Sequence, residues 1–461
     1  MKLNSFIGDK AFYRKLFAIM LPILVQNVIT NFVNLLDNVM VGQIGTEPMS
    51  GVAIVNQLLF VFNLCIFGGI AGAGIFTAQF YGSSDKKGMS DSVRAKLYIA
   101  LFALAAFMAL FVFFGEELIM QFIHEGEEGL DMAATLDYGK RYLRVMLWHM
   151  FPFALMQCYA GSLRETGETL LPMKAGIVAV LTNLVGNYIL IFGKFGFPAL
   201  GVEGAAIATV FARCIECAIV LSWAHRHKDK VPFVSALYST WKIPLPLMKK
   251  IFFLGLPLLV NEVLWSGGMT MLNQCYSLRG LEVVSAVNIS STVSNLFFCA
   301  FLAAGNATGI IVGQLLGAGE LEKAVDEDIK LIAFSAVLSA AVGLVLALLA
   351  PFIPLIYNTS DNVRSIASNL LLVVAVCMPM HSFTNSCYFT LRSGGKTLIT
   401  FVFDSLYLWV LCVPVAFVLS RFTGMNILPM YIIIQSLDII KCVIGYYMVR
   451  SKKWVKDLVN V

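Results

Sequence analysis

The sequence predicts an all-α polytopic membrane protein: twelve transmembrane helices forming two parallel six-helix repeats, an N-lobe and a C-lobe, around a central cavity. Three observations carry this. The 461 residues are 59% hydrophobic and only 13% charged, against roughly 25% charged in soluble domains. Apolar runs of about 20 residues, enough to cross the hydrocarbon core as helices, recur along nearly the whole length. The chain also repeats itself at an offset of 235 residues.

In order, the first run, 12–41, contains Pro22 and a row of asparagines. It is too long for a cleavable signal peptide and leads straight into that polar row. The second, 52–80, carries Gly68, Gly72 and Gly74, small residues suited to close helix approach. The third, 95–114, follows Lys86, Lys87, Arg94 and Lys96, and an acidic loop, 116–137, separates it from the fourth at 139–161. The fifth, 172–192, holds Asn183 and Asn187, and the sixth, 203–224, holds Thr209. A basic stretch, 225–248, then links 1–224 to 249–461; it is too short to fold alone. The remaining runs are 249–274, 284–316, 329–356, 367–390, 398–420 and 427–449.

Lys and Arg set the orientation. Most of the 33 basic residues fall in alternate segments, from Lys10, Arg14 and Lys15 through Arg226, Lys228 and Lys230 to Arg450, Lys452 and Lys453. This places both termini in the cytoplasm, the acidic loop outside, and the protein in the plasma (inner) membrane. The net charge of +5 is then a topology signal, with no nucleic-acid partner implied. Ten cysteines lie in or beside apolar helices, where Cys is a small hydrophobe. Cys214 and Cys217 form a lone C-x-x-C with no second pair.

The repeat is specific. Residues 15–82 align with 250–317 without a gap, so that Pro22, Asn38, Gly45, Gly74, Gln79 and Gly82 return as Pro257, Asn273, Gly280, Gly309, Gln314 and Gly317. An offset of 228 pairs Leu163, Arg164, Gly167 and Thr169 with Leu391, Arg392, Gly395 and Thr397. Six helices per half is an even number, so the halves enter from the same side as parallel repeats, an arrangement of secondary transporters.

Symmetry breaks where chemistry is expected. Asp37 lies inside the first apolar run, beside Asn27, Asn31, Asn34 and Asn38. Those asparagines fall within about 60° of arc on a helix. A carboxylate at the centre of a membrane helix costs roughly 2.5–3.5 kcal/mol and marks an ion or substrate pathway. Its repeat equivalent is Leu272, whereas Glu262, with Ser266 and Asn273 at helical spacing, corresponds to Asn27. Asp37, Asn183, Asn187 and Thr209 are hard oxygen ligands suited to Na⁺ or to a titrating acid. Equivalents of the two asparagines in the second half are Leu411 and Val415, so only the first half carries the set.

The chain resembles the MATE family, multidrug and toxic compound extrusion transporters. The resemblance rests on Pro22 followed by LLDNVMVGQIG (35–45), LRETGETLLP (163–172), NLVGNYILIFG (183–193), GVEGAAIAT (201–209) and the repeated GQLLGAGELEKA (313–324). It implies paired six-helix bundles exporting organic cations in exchange for Na⁺ or H⁺ by alternating access. Asp37, Asn183, Asn187 and Thr209 would couple the cation, with Asp37, Asn183 and Asn187 holding Na⁺ if sodium is the ion. Some members carry Asp at the position of Asn187; the amide here removes one charge. Asn27, Asn31, Asn34, Glu262, Ser266, Asn273 and Asp404 would line the substrate cavity. Cationic amphiphilic small molecules and the bilayer are the partners implied, with no cofactor beyond the coupling ion, and one twelve-helix chain suffices as a monomer.

Other readings are weighed on the residues. A flippase for a lipid-linked or amphiphilic substrate would need a more cationic cavity, against which Asp37 and Glu262 stand. An enzyme would need a His/Asp or metal cluster at one depth, and none converges. Gly395-Lys396-Thr397 mimics the end of a P-loop, but Thr390 stands where Gly is required. Asp438 and Lys441, three apart, read as a self-neutralising pair within one helix, as do Arg213 and Glu216. Asp404 has no charged partner nearby in the sequence.

Overall fold

The computed structural model describes residues 6–122 and 131–459, with the side chains of Asn34, Leu35 and Asn38 also outside the description. The cavity residue Asn34 and the loop acids Glu125, Glu127 and Glu128 therefore lie outside the described residues. All regular structure among the described residues is helical. The first half forms α1 (Lys10–Gly42), α2 (Thr46–Gly82), α3 (Lys86–Met120), α4 (Met132–Glu165), α5 (Leu170–Phe192) and α6 (Gly201–Arg226). A short α7 (Val234–Leu237) lies in the linker. The second half forms α8 (Leu245–Ser277), α9 (Leu281–Gly317), α10 (Leu321–Leu349), α11 (Asp361–Ser393), α12 (Thr397–Phe422) and α13 (Ile427–Arg450).

Ten of these helices are long and apolar enough to cross a membrane. α4 and α8, of 34 and 33 residues, complete the twelve. α4 opens on the charged Lys140, Arg141 and Arg144, and α8 carries Glu262, which dilutes their apolar character. Large side chains such as Phe102, Phe113, Trp148 and Val376 stand on the surface. In water that exposure would be costly; in a bilayer it is solvation by lipid, while helices satisfy every backbone group internally. The protein is a multi-pass membrane protein.

Two departures from the predicted runs have local causes. The ninth run ends early, α10 stopping at Leu349, because Pro351 and Pro354 lack the amide a helix needs; Ile353–Ile356 forms a 3-10 turn instead. α12 widens into two π turns, Val402–Leu406 and Leu408–Cys412, a distortion that turns side chains relative to a regular helix.

The chain divides into two compact units. One consists of Val25–Thr77 and Lys86–Phe252; the other holds the chain up to Leu24, Ala78–Asp85 and everything from Phe253 onward. α1 and α2 thus each change unit partway along, α1 just after Pro22.

Within the first of these units, Val55, Phe62, Ile66, Met150 and Phe153 anchor a core between α2, α3 and α4. The linker is docked rather than loose. Arg94 donates to the carbonyls of Leu237 (3.0 Å), Ala236 (2.8 Å) and Lys242 (3.1 Å) and pairs with Asp91. Ser90 holds the carbonyl of Phe233 at 2.8 Å, and Val231, Phe233, Val234 and Leu237 are buried.

In the other unit, Leu16, Met20 and Ile23 of α1 pack with Ala303, Ile311 and Leu315 of α9 and Leu331 of α10. The end of α2 crosses the end of α9 at two repeat-related glycines. A Cβ on Gly82 would collide with the Gln314 carbonyl, and one on Gly317 with the Gln79 carbonyl. Only glycine permits that approach at both positions. The Gln79 side chain donates to the Ser393 carbonyl at 2.9 Å and accepts from the Leu458 amide at 2.8 Å.

Candidate functional site

α5 and α6 form a tight antiparallel pair joined by a short loop. Gly193 ends α5 in the left-handed region at φ 65°, which glycine adopts without strain. A Cβ on Gly186 would sit 2.9 Å from that of Ala208, and one on Gly204 2.5 Å from the Leu190 carbonyl. These two glycines let the helices close, and the closeness puts Asn183 and Asn187, one turn apart on α5, beside Thr209 on α6.

Asp37 of α1 completes the group. The Asn187 amide donates to Asp37 Oδ1 at 2.7 Å across 150 residues of sequence. Asn183 lies against both the carboxylate and the Thr209 hydroxyl. An amide's oxygen and nitrogen are told apart by their partners, and here one arrangement satisfies both ends. With its nitrogen toward α1, Asn183 donates to Asp37 Oδ1 and Oδ2 at 2.8 and 3.0 Å and accepts from Thr209 Oγ1 at 3.1 Å. Asn187 is 1% exposed, and its Oδ1 is buried without a hydrogen-bond partner among the described residues. The donor set fits a small cation on that ground: carboxylate, two amide oxygens and a hydroxyl, one of them lacking a partner.

Sequence reasoning missed two residues here. Tyr142 of α4 is buried, in electrostatic range of Asp37, and donates to Asn56 of α2 at 3.3 Å. Their spacing from Asp37 carries no signal, since they sit on other helices.

The remaining site residues are placed as follows. Asn27 is half-buried and Asn31 exposed, both on α1 in the unit that holds Asp37. Glu262 and Ser266 on α8 are half-buried and Asn273 is exposed, in the other unit. Asp404, with no charged partner nearby in the sequence, finds partners on other helices: Lys441 donates to it at 2.7 Å and Asn261 at 3.2 Å. The expected Asp438–Lys441 pair within α13 is replaced, because both side chains find partners on neighbouring helices. Lys441 reaches α12, and Asp438 meets His381 of α11 at 2.8 Å. The Arg213–Glu216 pair forms within α6 as expected, at 2.7 Å.

Comparison with known proteins decides the family. The MatE family model matches residues 22–189 and again 257–418, once in each repeat. The chain belongs to the MatE family. MatE proteins are transporters, and the two matches coincide with the duplication. Similar relatives include the probable multidrug resistance protein NorM of Thermotoga maritima, 24% identical, with 97% of this chain and 94% of the relative covered. The multidrug resistance protein MdtK of Pectobacterium atrosepticum is 25% identical over 88% of this chain and 87% of the relative. Among solved structures, an outward-facing multidrug resistance MATE transporter matches with TM-score 0.83 at 19% identity, covering 98% of this chain and 99% of the other. A MOP superfamily transporter from Pyrococcus furiosus, described as having a binding pocket of reverse polarity, matches with TM-score 0.86 at 18% identity, covering 97% of each chain. These structural likenesses establish a shared MatE fold.

Proposed function

We propose that this MatE protein is a secondary active antiporter that exports cationic amphiphilic small molecules in exchange for Na⁺ or H⁺, with Asp37 as the coupling group. It would sit in the plasma membrane with both termini in the cytoplasm. One observation carries the reading. Three other acids deep in the helices hold an internal base: Glu165 holds Lys96, Glu216 holds Arg213 and Asp404 holds Lys441. Asp37 is held by neutral amides, and no ion pair among the described residues reaches it. A half-buried carboxylate held by amides, with Arg213 in electrostatic range but already paired to Glu216, favours a cation from solution.

Asn183 and Asn187 both turn their nitrogens toward the carboxylate and tie α1 to α5. A proton or Na⁺ on Asp37 would remove the negative charge these amides donate to, change how α1 is held, and so bias alternating access between loading and release. Exchange of one monovalent cation for another is electroneutral, so a tenfold ion gradient supports about a tenfold drug gradient, roughly 1.4 kcal/mol. A second coupling ion would add about 2.3 kcal/mol per 100 mV.

The test is ethidium efflux from vesicles with a Na⁺ gradient and a pH gradient imposed separately. Efflux driven by one of them and lost in Asp37→Asn supports the reading. Efflux indifferent to both gradients, or unimpaired in Asp37→Asn, ends it.

A further inference from the structure

A second intramembrane acid lacks an ion pair. Asp328 on α10 is 0% exposed. Its Oδ1 accepts from Thr390 Oγ1 of α11 at 2.5 Å, while its Oδ2 has no hydrogen-bond partner. One turn before Thr390, Ser386 Oγ is also buried and unpartnered, its carbonyl taken by the same Thr390 hydroxyl at 3.0 Å. A buried oxygen left this way costs about 1–3 kcal/mol, more for a charged group.

The duplication tells what is missing. At the offset of 228, Thr390 corresponds to Ser162; at 235, Asp328 corresponds to Val93 and Leu331 to Lys96. In the first repeat Lys96, also fully buried, reaches Ser162 Oγ at 3.0 Å and pairs with Glu165. The first repeat thus carries its own cation at this level, balanced by its own acid. In the second repeat the base has become Leu331 and an acid stands at Asp328, with no base to match it.

Among the described residues the surroundings supply no replacement. On α10 itself, Lys330 pairs with Asp326 at 2.5 Å and Lys323 with Glu320 at 2.9 Å, both pairs on the exposed face. α1 brings Lys15, which is in electrostatic range of Glu327. The ionisable residues of α9 are Glu282, at its far end, and Cys299. α11 contributes the Cys387 thiol, in range of Asp328, while its bases His381 and Arg392 are engaged elsewhere, His381 by Asp438 and Arg392 over the Phe389 ring. The oxygen atoms at hand, Asp328 and Thr390 with Ser386 one turn away, are too few to replace the hydration shell of a metal ion, which takes about six.

We infer that Asp328 is a proton-binding site of the second repeat, exchanging a proton with water independently of Asp37. The carboxylate takes up a proton from water to form the neutral acid, so that the unpartnered Oδ2 no longer carries charge. The proton does for the second repeat what the Lys96 ammonium does for the first.

Infrared difference spectra between acid and alkaline pH, on the full-length protein in lipid vesicles, test this. An acid C=O stretch from a carboxyl shielded from water is expected to titrate in wild type and in Asp37→Asn. It is expected to vanish in Asp328→Asn, with one proton fewer taken up per chain. Leu331→Lys, which restores the first repeat's base, is expected to abolish the same band, and decides the matter if Asp328→Asn does not fold. A band unchanged in Asp328→Asn or Leu331→Lys, one that never titrates, or one that responds to Na⁺ rather than pH overturns the inference. Because the band is read in Asp37→Asn as well, its fate is separate from that of the export reading.

Discussion

The carboxylate of Asp37 and the amides that face it decide what a single substitution does. Asp37→Asn removes the charge with little change of shape, so folding should survive while ion-coupled efflux falls to background; membrane level and ethidium efflux measured together check this. Asn187→Asp points the other way. A second carboxylate at a 2.7 Å contact with Asp37 raises the demand for a cation, and Na⁺ binding should tighten at least about tenfold, roughly 1.4 kcal/mol. Sodium-dependent thermal stabilisation reads that change directly; none at all would mean that the site does not hold Na⁺. Much of this cluster was legible beforehand, since Asn183 and Asn187 share a helix face and an acid inside an apolar run is conspicuous. The partners of Asp404, Asp438 and Lys441 were not. Spacing along one helix favours a local pair, whereas the real partners lie on adjoining helices, Lys441 and Asp404 being 37 positions apart.

At the level of helices, the seam between α2 and α9 is the most exacting contact. Gly82→Ala or Gly317→Ala sets a methyl group against a backbone carbonyl that cannot rotate away. Each should cost about 1–3 kcal/mol as overpacking, seen as a lower melting temperature in detergent, with Gly319→Ala, where a Cβ meets nothing nearby, bringing only its own backbone strain. The docked linker yields a second prediction. Arg94→Met strips the carbonyls of Ala236, Leu237 and Lys242 of their donor and leaves Asp91 unpaired, at a cost of about 3–5 kcal/mol. Proteolysis should then cut first within 225–248. The helices themselves were readable from apolar runs, and α10 shortens only where Pro351 and Pro354 intervene. The π turns of α12 were not readable, because they answer to neighbouring helices and not to residue type.

Across the whole chain, an even number of crossings requires that both ends emerge on one side. Reporters fused at either terminus should respond in the same compartment, and one placed in the 116–137 loop in the opposite one; termini on opposite sides would contradict twelve spans. The duplication was visible in the residues alone, through Pro22 and Pro257, Gln79 and Gln314, Gly82 and Gly317. How the helices sort into units was not. α1 and α2 each belong to both, a division that follows from packing of Leu16, Met20 and Ile23 against α9 and α10 and leaves no mark in hydropathy.

Read alone, the residues determined the solvent, the number of crossings, the duplication and the presence of an acid inside the first apolar run. Each of these follows from composition and from periodicities within a single helix, which a linear string records. The tertiary structure decided which charges are neutralised from within and which are not. It set Lys441 on Asp404 and His381 on Asp438, and it left Asp37 with two amides and Asp328 with one hydroxyl. Pairing across helices depends on distances between segments far apart in the chain, so only the packed molecule shows which acids still need a cation from outside.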